Sequence, residues 1–506
     1  MTIWLALWAL VVIGEHMLYI AVGQDGMMTR KTARRTLGAF MMLAVVVASL
    51  LMLTADWRLW MLPALITPYR LINIARMVRY RLQPGRLSSL SLRTHAWLVF
   101  TQLVFLGISY GCSYLGASHI AGLVVGLQLF VVLVLLRSTT QTWEFARPTT
   151  GGKHYTDREL PTVSVLIPAR DETKSLEVSL QSLVQSDYPK MEILVLDDCS
   201  PNRRTPEIIR SFAHDGVRFV QGVEPEEQHW VAKNFACEQL RREASGDVLL
   251  FCSADVRFEP GTVRAMVESL LNEGKDMLSV LPSRPPEMRR RLPLLEPMRY
   301  YWELCLPRRL FKRPPVLSTC WLIRAKALDS LGGFDGVRQS VAPETHFARR
   351  TVISGKYAFL RSSGSLVVYN TKVPDSQYDT TIRLRYPQLH RRLELVALTS
   401  VFELFFLAGP FIGLLFIPFL SNGLAYLLVW LAVIATTEVM YYYVAVETRL
   451  TSTPLAILTA PIAILVDIYM LHLSLLRYEF GEVSWKGRNV CIPVMRVEPQ
   501  LPKLPN

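Results

Sequence analysis

Acidic side chains follow three short apolar segments in the middle of the chain. PARDE (168–172) follows the first segment, Asp197 and Asp198 follow the second, and Asp255 follows the third. In an open α/β sheet, ligands bind beyond the carboxyl ends of the strands. Several carboxylates buried together are costly unless a cation or a polar ligand compensates their charge. We therefore expect one site for a charged, polar ligand at the rim of a sheet.

Strands and helices alternate from Pro161 to about Leu395, which predicts a mostly parallel sheet covered by helices. Neither a Walker loop nor GxGxxG follows the first strand, which disfavours a P-loop ATPase and a dinucleotide enzyme. The expected fold class is therefore α/β. The predicted strands are Thr162–Ile167, Glu192–Leu196 and Asp247–Cys252, and the predicted helices are Ser175–Ser186 and Ala232–Ala244.

The flanking sequence is apolar. The 506-residue chain is 51% hydrophobic, and the apolar residues concentrate in 1–136 and 396–476. The net charge of +13 comes from Lys and Arg beside these stretches, which indicates membrane topology rather than nucleic-acid binding. Arg58–Ala75 is expected to be kinked or re-entrant because of its prolines. The segments long enough to span a membrane are Thr2–Val22, Leu37–Leu53, His95–Gly116, His119–Leu136, Ala397–Leu420, Leu424–Ala445 and Pro454–Leu476.

The last three segments leave the side of the C-terminal tail open. Three full crossings would place the tail on the opposite side of the membrane from the central domain. A first segment, Ala397–Leu420, that re-enters would keep the tail on the same side, and Glu403 and Pro410 within it favour this alternative.

Several ordered motifs resemble those of the family 2 glycosyltransferases, which have the GT-A fold. PARDE resembles the opening P-x-x-N-E, with Asp171 in place of Asn. VLDDCS (195–200) resembles DDGS, and HWVAKNFACEQL (229–240) is similar to W-x-G-K-x-x-A. The resemblance covers roughly 161–395 and is strongest to the subgroup with carotenoid and ceramide-type lipid glycosyltransferases. It implies a GT-A domain inserted between two transmembrane blocks.

The resemblance also implies roles at the donor. Asp197 and Asp198 are expected to contact the nucleoside of a nucleotide-sugar, with a UDP-sugar as the expected donor. CSADVRF (252–258) matches the D-x-D position, so Asp255 is expected to meet the diphosphate through Mg²⁺ or Mn²⁺. Ser253 replaces the first Asp, although one carboxylate with water and phosphate can hold a hard cation. The further predicted donor contacts are Pro168, Arg170, Glu172, Lys233, Ser253, Gln388 and Arg391. The alternatives are strand-end turns for the aspartates and a solvated helix position for Lys233.

Glu344 is the predicted general base. GGFDGVR (332–338) and VAPETHFARR (341–350) resemble G-G-F followed by E-D-x-x-L-A-R, which places Glu344 at the catalytic Asp and Pro343 at the preceding Glu. A carboxylate there would deprotonate the acceptor hydroxyl during in-line attack on the anomeric carbon, with inversion. The alternative is a helix-face ion pair with a neighbouring arginine.

Two further motifs concern the acceptor. QLHRR (388–392) has Arg392 where processive members carry Trp, which favours a single transfer over polymer synthesis. SWKGR (484–488) resembles the W-x-G-R ending of ceramide-type glucosyltransferases and favours a tail near the site. The basic and aromatic residues of 284–313 suit a segment lying on lipid headgroups, where it would guide a lipid acceptor to Glu344. The alternative is an ordinary surface helix.

These features predict a multi-pass hexosyltransferase of the cytoplasmic membrane with a cytosolic catalytic domain. A processive polysaccharide synthase and a non-catalytic scaffold with a degenerate transferase domain remain as rivals. The sequence does not determine the oligomeric state. The predicted limits are 1–136 for the N-terminal block, 137–160 for a linker, 161–395 for the GT-A domain, 396–476 for the C-terminal block and 477–506 for the tail.

Overall fold

The computed structural model describes residues 10–18, 61–82, 92–146, 152–225, 230–306, 314–420 and 423–491. The strands of the central domain are apolar runs buried on both faces, as expected for a covered sheet. The strands are β1 Val163–Ala169, β2 Met191–Asp197, β3 Val217–Gln221, β4 Val248–Cys252, β5 Val256–Phe258, β6 Met277–Leu281, β7 Cys320–Arg324, β8 Tyr357–Arg361, β9 Val368–Asn370, β10 Ser484–Trp485 and β11 Arg488–Asn489.

Seven of these strands form one mixed sheet in the order β3-β2-β1-β4-β7-β6-β8. Only β7 runs antiparallel to its neighbours in this sheet. Ala169 lies opposite Asp197, so the residues that follow β1 and β2 leave the sheet side by side. In a separate small sheet, β5 pairs with β9 and Val256 lies opposite Asn370. The predicted α/β fold of GT-A type is thereby confirmed.

Helices cover both faces of the large sheet. The helices are α1 Met61–Ala64, α2 Thr67–Leu82, α3 Leu92–Ser113, α4 Ala117–Phe145, α5 Lys174–Val184, α6 Arg204–Ser211, α7 Ala232–Glu243, α8 Thr262–Asn272, α9 Glu296–Cys305, α10 Ala325–Ser330, α11 Pro343–Ile353, α12 Pro374–Gln388, α13 Leu393–Phe402, α14 Gly409–Gly413, α15 Gly423–Glu447 and α16 Ala460–Phe480. Alternate residues of β1 point to opposite faces: Val165 packs with α5 and α8, whereas Leu166 packs with α7, α9 and α11. The second face continues into the membrane-type helices, because α9 packs against α4, α15 and α16.

Among the described residues, five helical segments are long and apolar enough to span a membrane. Arg58–Ala75, predicted to be kinked, contains α1 and the start of α2, separated by a turn at 65–66, and is not among them. Only 10–18 of the first predicted segment is described, where it is helical, and Leu37–Leu53 lies outside the described residues. The five segments are Thr94–Ser113, Ala117–Phe145, Leu393–Phe419, Gly423–Glu447 and Pro454–Phe480.

The chain returns to the central domain after the last of these segments. There β10 and β11 form a hairpin, here called the tail hairpin (484–489), whose Arg488 and Lys486 bind Asp198 and Glu172. A chain that leaves and rejoins one side of a membrane crosses it an even number of times, so the last three segments cannot all cross. Leu393–Phe419 contains a π-helical segment, Glu403–Ala408, and interrupting prolines, which makes it the candidate for re-entry.

Candidate active site

A cavity of about 460 Å³ lies where the membrane-facing helices meet the central domain. Its walls come from 230–234 at the start of α7, from α9, from 341–344 at the start of α11, from α12 and from the tail hairpin. Three predicted site residues line it directly, namely Glu344, Lys233 and Gln388, and so does Trp230. The expected base and two expected donor contacts therefore share one space.

Glu344 lies in the first turn of α11 and is only 5% exposed. Pro343 before it suits the first turn, where its missing N–H would have no helical partner. The amide groups of a helix N-terminus favour a carboxylate in its ionised form. The loop before α11 is held by Asn234, whose buried amide donates to the carbonyls of Val337 (3.1 Å), Arg338 (3.3 Å) and Ser340 (2.8 Å). Asn234 thus holds in place the loop that leads into the helix carrying Glu344.

Asp198 contacts the tail hairpin rather than open space. Its carboxylate is 3% exposed and accepts a hydrogen bond from Arg488, which itself lines the cavity. Burial raises the pKa of the Asp198 carboxyl, although Arg488 and Arg170 act in the opposite direction. Arg488 also reaches Glu224 at 2.5 Å. Asp198 therefore does not line the cavity itself, and the Arg488 side chain lies between its carboxylate and the cavity.

The PARDE segment is tied to the same hairpin. The Arg170 guanidinium is buried and donates to the carbonyls of Asp198 (2.6 Å) and Cys199 (2.7 Å), and its Nε donates to the carbonyl of Lys486 (3.1 Å). Glu172 forms an ion pair with Lys486. These two predicted donor contacts therefore brace the loop after β2 and the tail hairpin.

Asp197 and Pro168 lie at the strand ends. The Asp197 Oδ1 accepts the Ser200 N–H at 3.3 Å, which is the strand-end turn named as the alternative to nucleoside contact. Pro168 is part of β1. Neither residue lines the cavity.

Asp255 follows β4, and its carboxylate faces the ammonium group of Lys372. Its Oδ2 is 3.5 Å from Lys372 Nζ, and its carbonyl accepts the N–H of Thr371 at 2.9 Å. Ser253 donates its N–H to the carbonyl of Thr319 at 3.1 Å and supplies no carboxylate. No group of three or more His, Cys, Asp or Glu residues that could hold a metal ion is found in the described part of the chain. A divalent cation repels a neighbouring ammonium, so these side chains do not form a metal cage of their own. Mg²⁺ or Mn²⁺ stays a prediction from the resemblance.

Arg391 lies outside the cavity, contrary to its expected role beside Gln388. Residues His390 and Arg391 have positive φ angles of 59° and 52°, which break the helical phase after α12. The Arg391 side chain consequently turns toward Glu479 (Nη2 to Oε1, 3.5 Å) and Tyr478. This position is among the membrane-type helices rather than beside a donor phosphate.

Several residues of the cavity wall were not among the predicted contacts, and three of these are charged residues on two helices. Arg299 and Glu303 come from α9, inside the segment expected to lie on headgroups, and Arg383 comes from α12. In that segment, Tyr300 and Tyr301 are buried in the protein rather than placed on a lipid surface. The signal that could have found Arg299 and Glu303 is their i, i+4 spacing, which puts both side chains on one helix face.

The sheet order and the strand-end carboxylates define a domain of the GT-A class. Residues 164–332 match the family model described as Glycosyl transferase family 2. The probable glycosyltransferase YdaM of Bacillus subtilis is 30% identical over 202 residues, covering 38% of this chain and 47% of that protein. The 4,4'-diaponeurosporenoate glycosyltransferase of Staphylococcus aureus is 31% identical over 125 residues, covering 24% of this chain and 31% of that protein. The matched segments span less than half of these relatives' length.

Solved structures are similar at lower sequence identity. The mannosyltransferase PcManGT from Pyrobaculum calidifontis, in complex with GDP-Man and Mn²⁺, is 16% identical with a TM-score of 0.43, covering 71% of this chain and 98% of that chain. Residues 1–349 of S. aureus TarS, in complex with UDP-GlcNAc, are 15% identical with a TM-score of 0.32, covering 68% and 99%.

Proposed function

We propose that this protein transfers a sugar from a nucleotide-sugar to a membrane lipid in one inverting displacement. The observation that carries the proposal is the shared cavity. It brings Glu344 together with Lys233, Gln388 and the Arg488 side chain that holds Asp198. A UDP-sugar is the expected donor.

In the proposed reaction, Glu344 accepts the proton of the acceptor hydroxyl. The acceptor oxygen forms a bond to the anomeric carbon while the bond from that carbon to the β-phosphate oxygen breaks. The bonding electrons leave with the nucleoside diphosphate, and the configuration at the anomeric carbon inverts. Asp198 contacts the nucleoside once Arg488 shares or leaves its carboxylate.

The position of α9 supports a lipid acceptor. One face of this helix contributes Arg299 and Glu303 to the cavity, while the helix packs against α4, α15 and α16. Its Trp302 Nε1 donates to Asp467 of α16 at 2.9 Å. The staphylococcal relative is named a diaponeurosporenoate glycosyltransferase, which is consistent with such an acceptor. We propose a cytoplasmic membrane location with the catalytic domain in the cytosol.

The proposal is tested with the full chain purified in lipid nanodiscs. Lipids from cells with and without the protein are compared by mass spectrometry, and the anomeric configuration of any glycolipid is determined by NMR. Glu344→Gln should abolish the new glycolipid, whereas Glu287→Gln, an exposed surface control paired with Arg257, should not. A long polymer as product would favour a polysaccharide synthase. If the protein neither binds nor hydrolyses any nucleotide-sugar, the non-catalytic scaffold becomes the better description.

A further inference from the structure

Four basic side chains converge beside Asp255. Lys233 comes from the first turn of α7, Arg299 from α9, Lys372 from the loop after β9 and Arg383 from α12. Lys233, Arg299 and Arg383 line the cavity, and Lys372 connects them to Asp255 at 3.5 Å. These four residues, here called the basic cluster, are drawn together by the fold from four separate elements.

The cluster is electrostatically unfavourable as it stands. Burial lowers the pKa of the Lys372 ammonium, Asp255 raises it, and repulsion by Arg383, Arg299 and Lys233 lowers it further. Burial likewise lowers the pKa of the Arg383 guanidinium to about 10. Asp255 and Asp379 are the acidic groups that act on Arg383, and Glu303 and Glu344 lie elsewhere on the cavity wall. Several buried positive charges that repel one another favour a bound anion that compensates them.

Arg383 has a hydrogen-bond donor in position for that anion. Its Nε is buried and has no acceptor among the described residues. The face of the guanidinium stacks on Trp485 of the tail hairpin, 4.6 Å from the ring centroid. Stacking fixes the plane of the guanidinium and leaves its edge for hydrogen bonds. A planar fork of N–H donors matches the geometry of phosphate oxygens.

The donor set at the D-x-D position favours basic side chains over a metal ion as the main phosphate contact. Ser253 supplies no carboxylate there, and the remaining one, Asp255, is beside Lys372. An ammonium and a divalent cation would compete for the same carboxylate. The cluster, by contrast, offers up to four positive charges to a diphosphate.

We propose that the basic cluster binds the diphosphate of the donor directly, so that donor binding persists without a divalent cation. This inference rests on the proposed function and names how its donor is held. When the bond between the anomeric carbon and the phosphate oxygen breaks, the charge that develops on the leaving diphosphate is stabilised by Arg383 and its neighbours. Preformed cations at that position need no reorganisation during the reaction.

The experiment measures binding of nucleoside diphosphates and their nucleosides to the full chain by isothermal titration calorimetry. UDP, GDP and CDP are compared in excess EDTA and in Mg²⁺ or Mn²⁺, and the best ligand is then compared with its nucleoside. The variants are Arg383→Gln and Lys372→Met. Arg257→Gln is the matched control, because Arg257 pairs with Glu287 at the surface and does not line the cavity.

The affinity of the wild type for the diphosphate should be less than about threefold lower in EDTA than with metal. Arg383→Gln should lower the affinity for the diphosphate roughly tenfold to a hundredfold and leave the affinity for the nucleoside unchanged. If Arg383→Gln does not fold, Lys372→Met carries the same comparison. Diphosphate binding that disappears in EDTA and returns with metal would overturn the inference but keep the proposed function. Equal weakening of nucleoside and diphosphate would also overturn it. Absence of any nucleotide binding, with or without metal, would remove the proposed function itself.

Discussion

The two sides of the cavity treat charge in opposite ways. On the side of β1 and β2, the tail hairpin neutralises the carboxylates, with Arg488 on Asp198 and Lys486 on Glu172. On the side of β4 and β9, Asp255 faces the basic cluster, whose Arg383 keeps a buried N–H without an acceptor. The charges of the first side are thus paired, although Asp198 Oδ1 also lacks a hydrogen-bond partner among the described residues, whereas the second side carries more positive than negative groups. A nucleotide would therefore displace contacts on one side and supply them on the other.

The largest effect should come from a residue that belongs to neither side. Glu344→Gln removes the proton acceptor and should lower turnover by about two to four orders of magnitude, as expected for general base catalysis. Binding of nucleoside and of nucleoside diphosphate should stay within about twofold, because the carboxamide has nearly the same shape. Single-turnover transfer and calorimetry together check this. Normal turnover in the variant would mean that Glu344 is not the base and only forms an ion pair on the helix face.

The side of β1 and β2 should contact only the nucleoside part of the nucleotide. Asp198→Asn removes a charged contact. It should lower the affinities for the nucleoside and for the nucleoside diphosphate by the same factor, roughly tenfold to a hundredfold. A cycle with Arg488→Gln separates the two residues, because the double variant should lose less than the sum of the singles. Calorimetry with the free nucleoside is the measurement. Selective loss of the diphosphate in Asp198→Asn would mean that the two sides are not distinct.

Protonation of Asp198 provides a smaller, reversible change. Its pKa is raised in the folded protein, so between the ordinary aspartate pKa and the raised one the native state binds more protons than the unfolded state. The stabilisation that this proton provides is lost as the pH rises through the raised pKa. One proton limits the slope to about 1.4 kcal/mol per pH unit. Thermal unfolding across this pH range should show that slope in the wild type and not in Asp198→Asn, and identical slopes would contradict the assignment.

Trp485 touches both sides and should give the smallest effect. Its ring lies 4.6 Å from the Arg383 guanidinium and 5.2 Å from the Lys486 ammonium. Trp485→Leu removes stacking worth about 0.5–1 kcal/mol, so diphosphate affinity should fall roughly twofold to fivefold. Trp485→Phe keeps an aromatic face and should recover most of that loss. A fall beyond this range in Trp485→Phe would point to a collapse of the tail hairpin.

Local sequence was sufficient to predict where the central strands end. β1, β2 and β4 appear as continuous apolar runs, and the residues after them carry the carboxylates that the register brings together at Ala169 and Asp197. The resemblance to the family motif singled out Glu344, which lines the cavity, and its role as the base stays a prediction. Features set within one segment, such as burial on both faces and a proline in the first helical turn, are visible in the letters.

The basic cluster was not predictable in the same way. Lys372 reaches Asp255 because β5 pairs with β9, a contact between segments more than 100 residues apart that no local pattern signals. Arg391 was predicted as a donor contact together with Gln388, but two positive φ angles after α12 place it outside the cavity. Long-range strand pairing and backbone breaks decided which basic residues face the cavity.

The tail hairpin should make nucleotide affinity depend on correct packing of the membrane-type helices. The hairpin follows α16 directly, and its position on Arg170 and Asp198 depends on where the last helix ends. A detergent that loosens the helical bundle should therefore weaken nucleotide binding before the soluble sheet unfolds. Purification conditions for such a protein can be chosen by that affinity rather than by solubility alone.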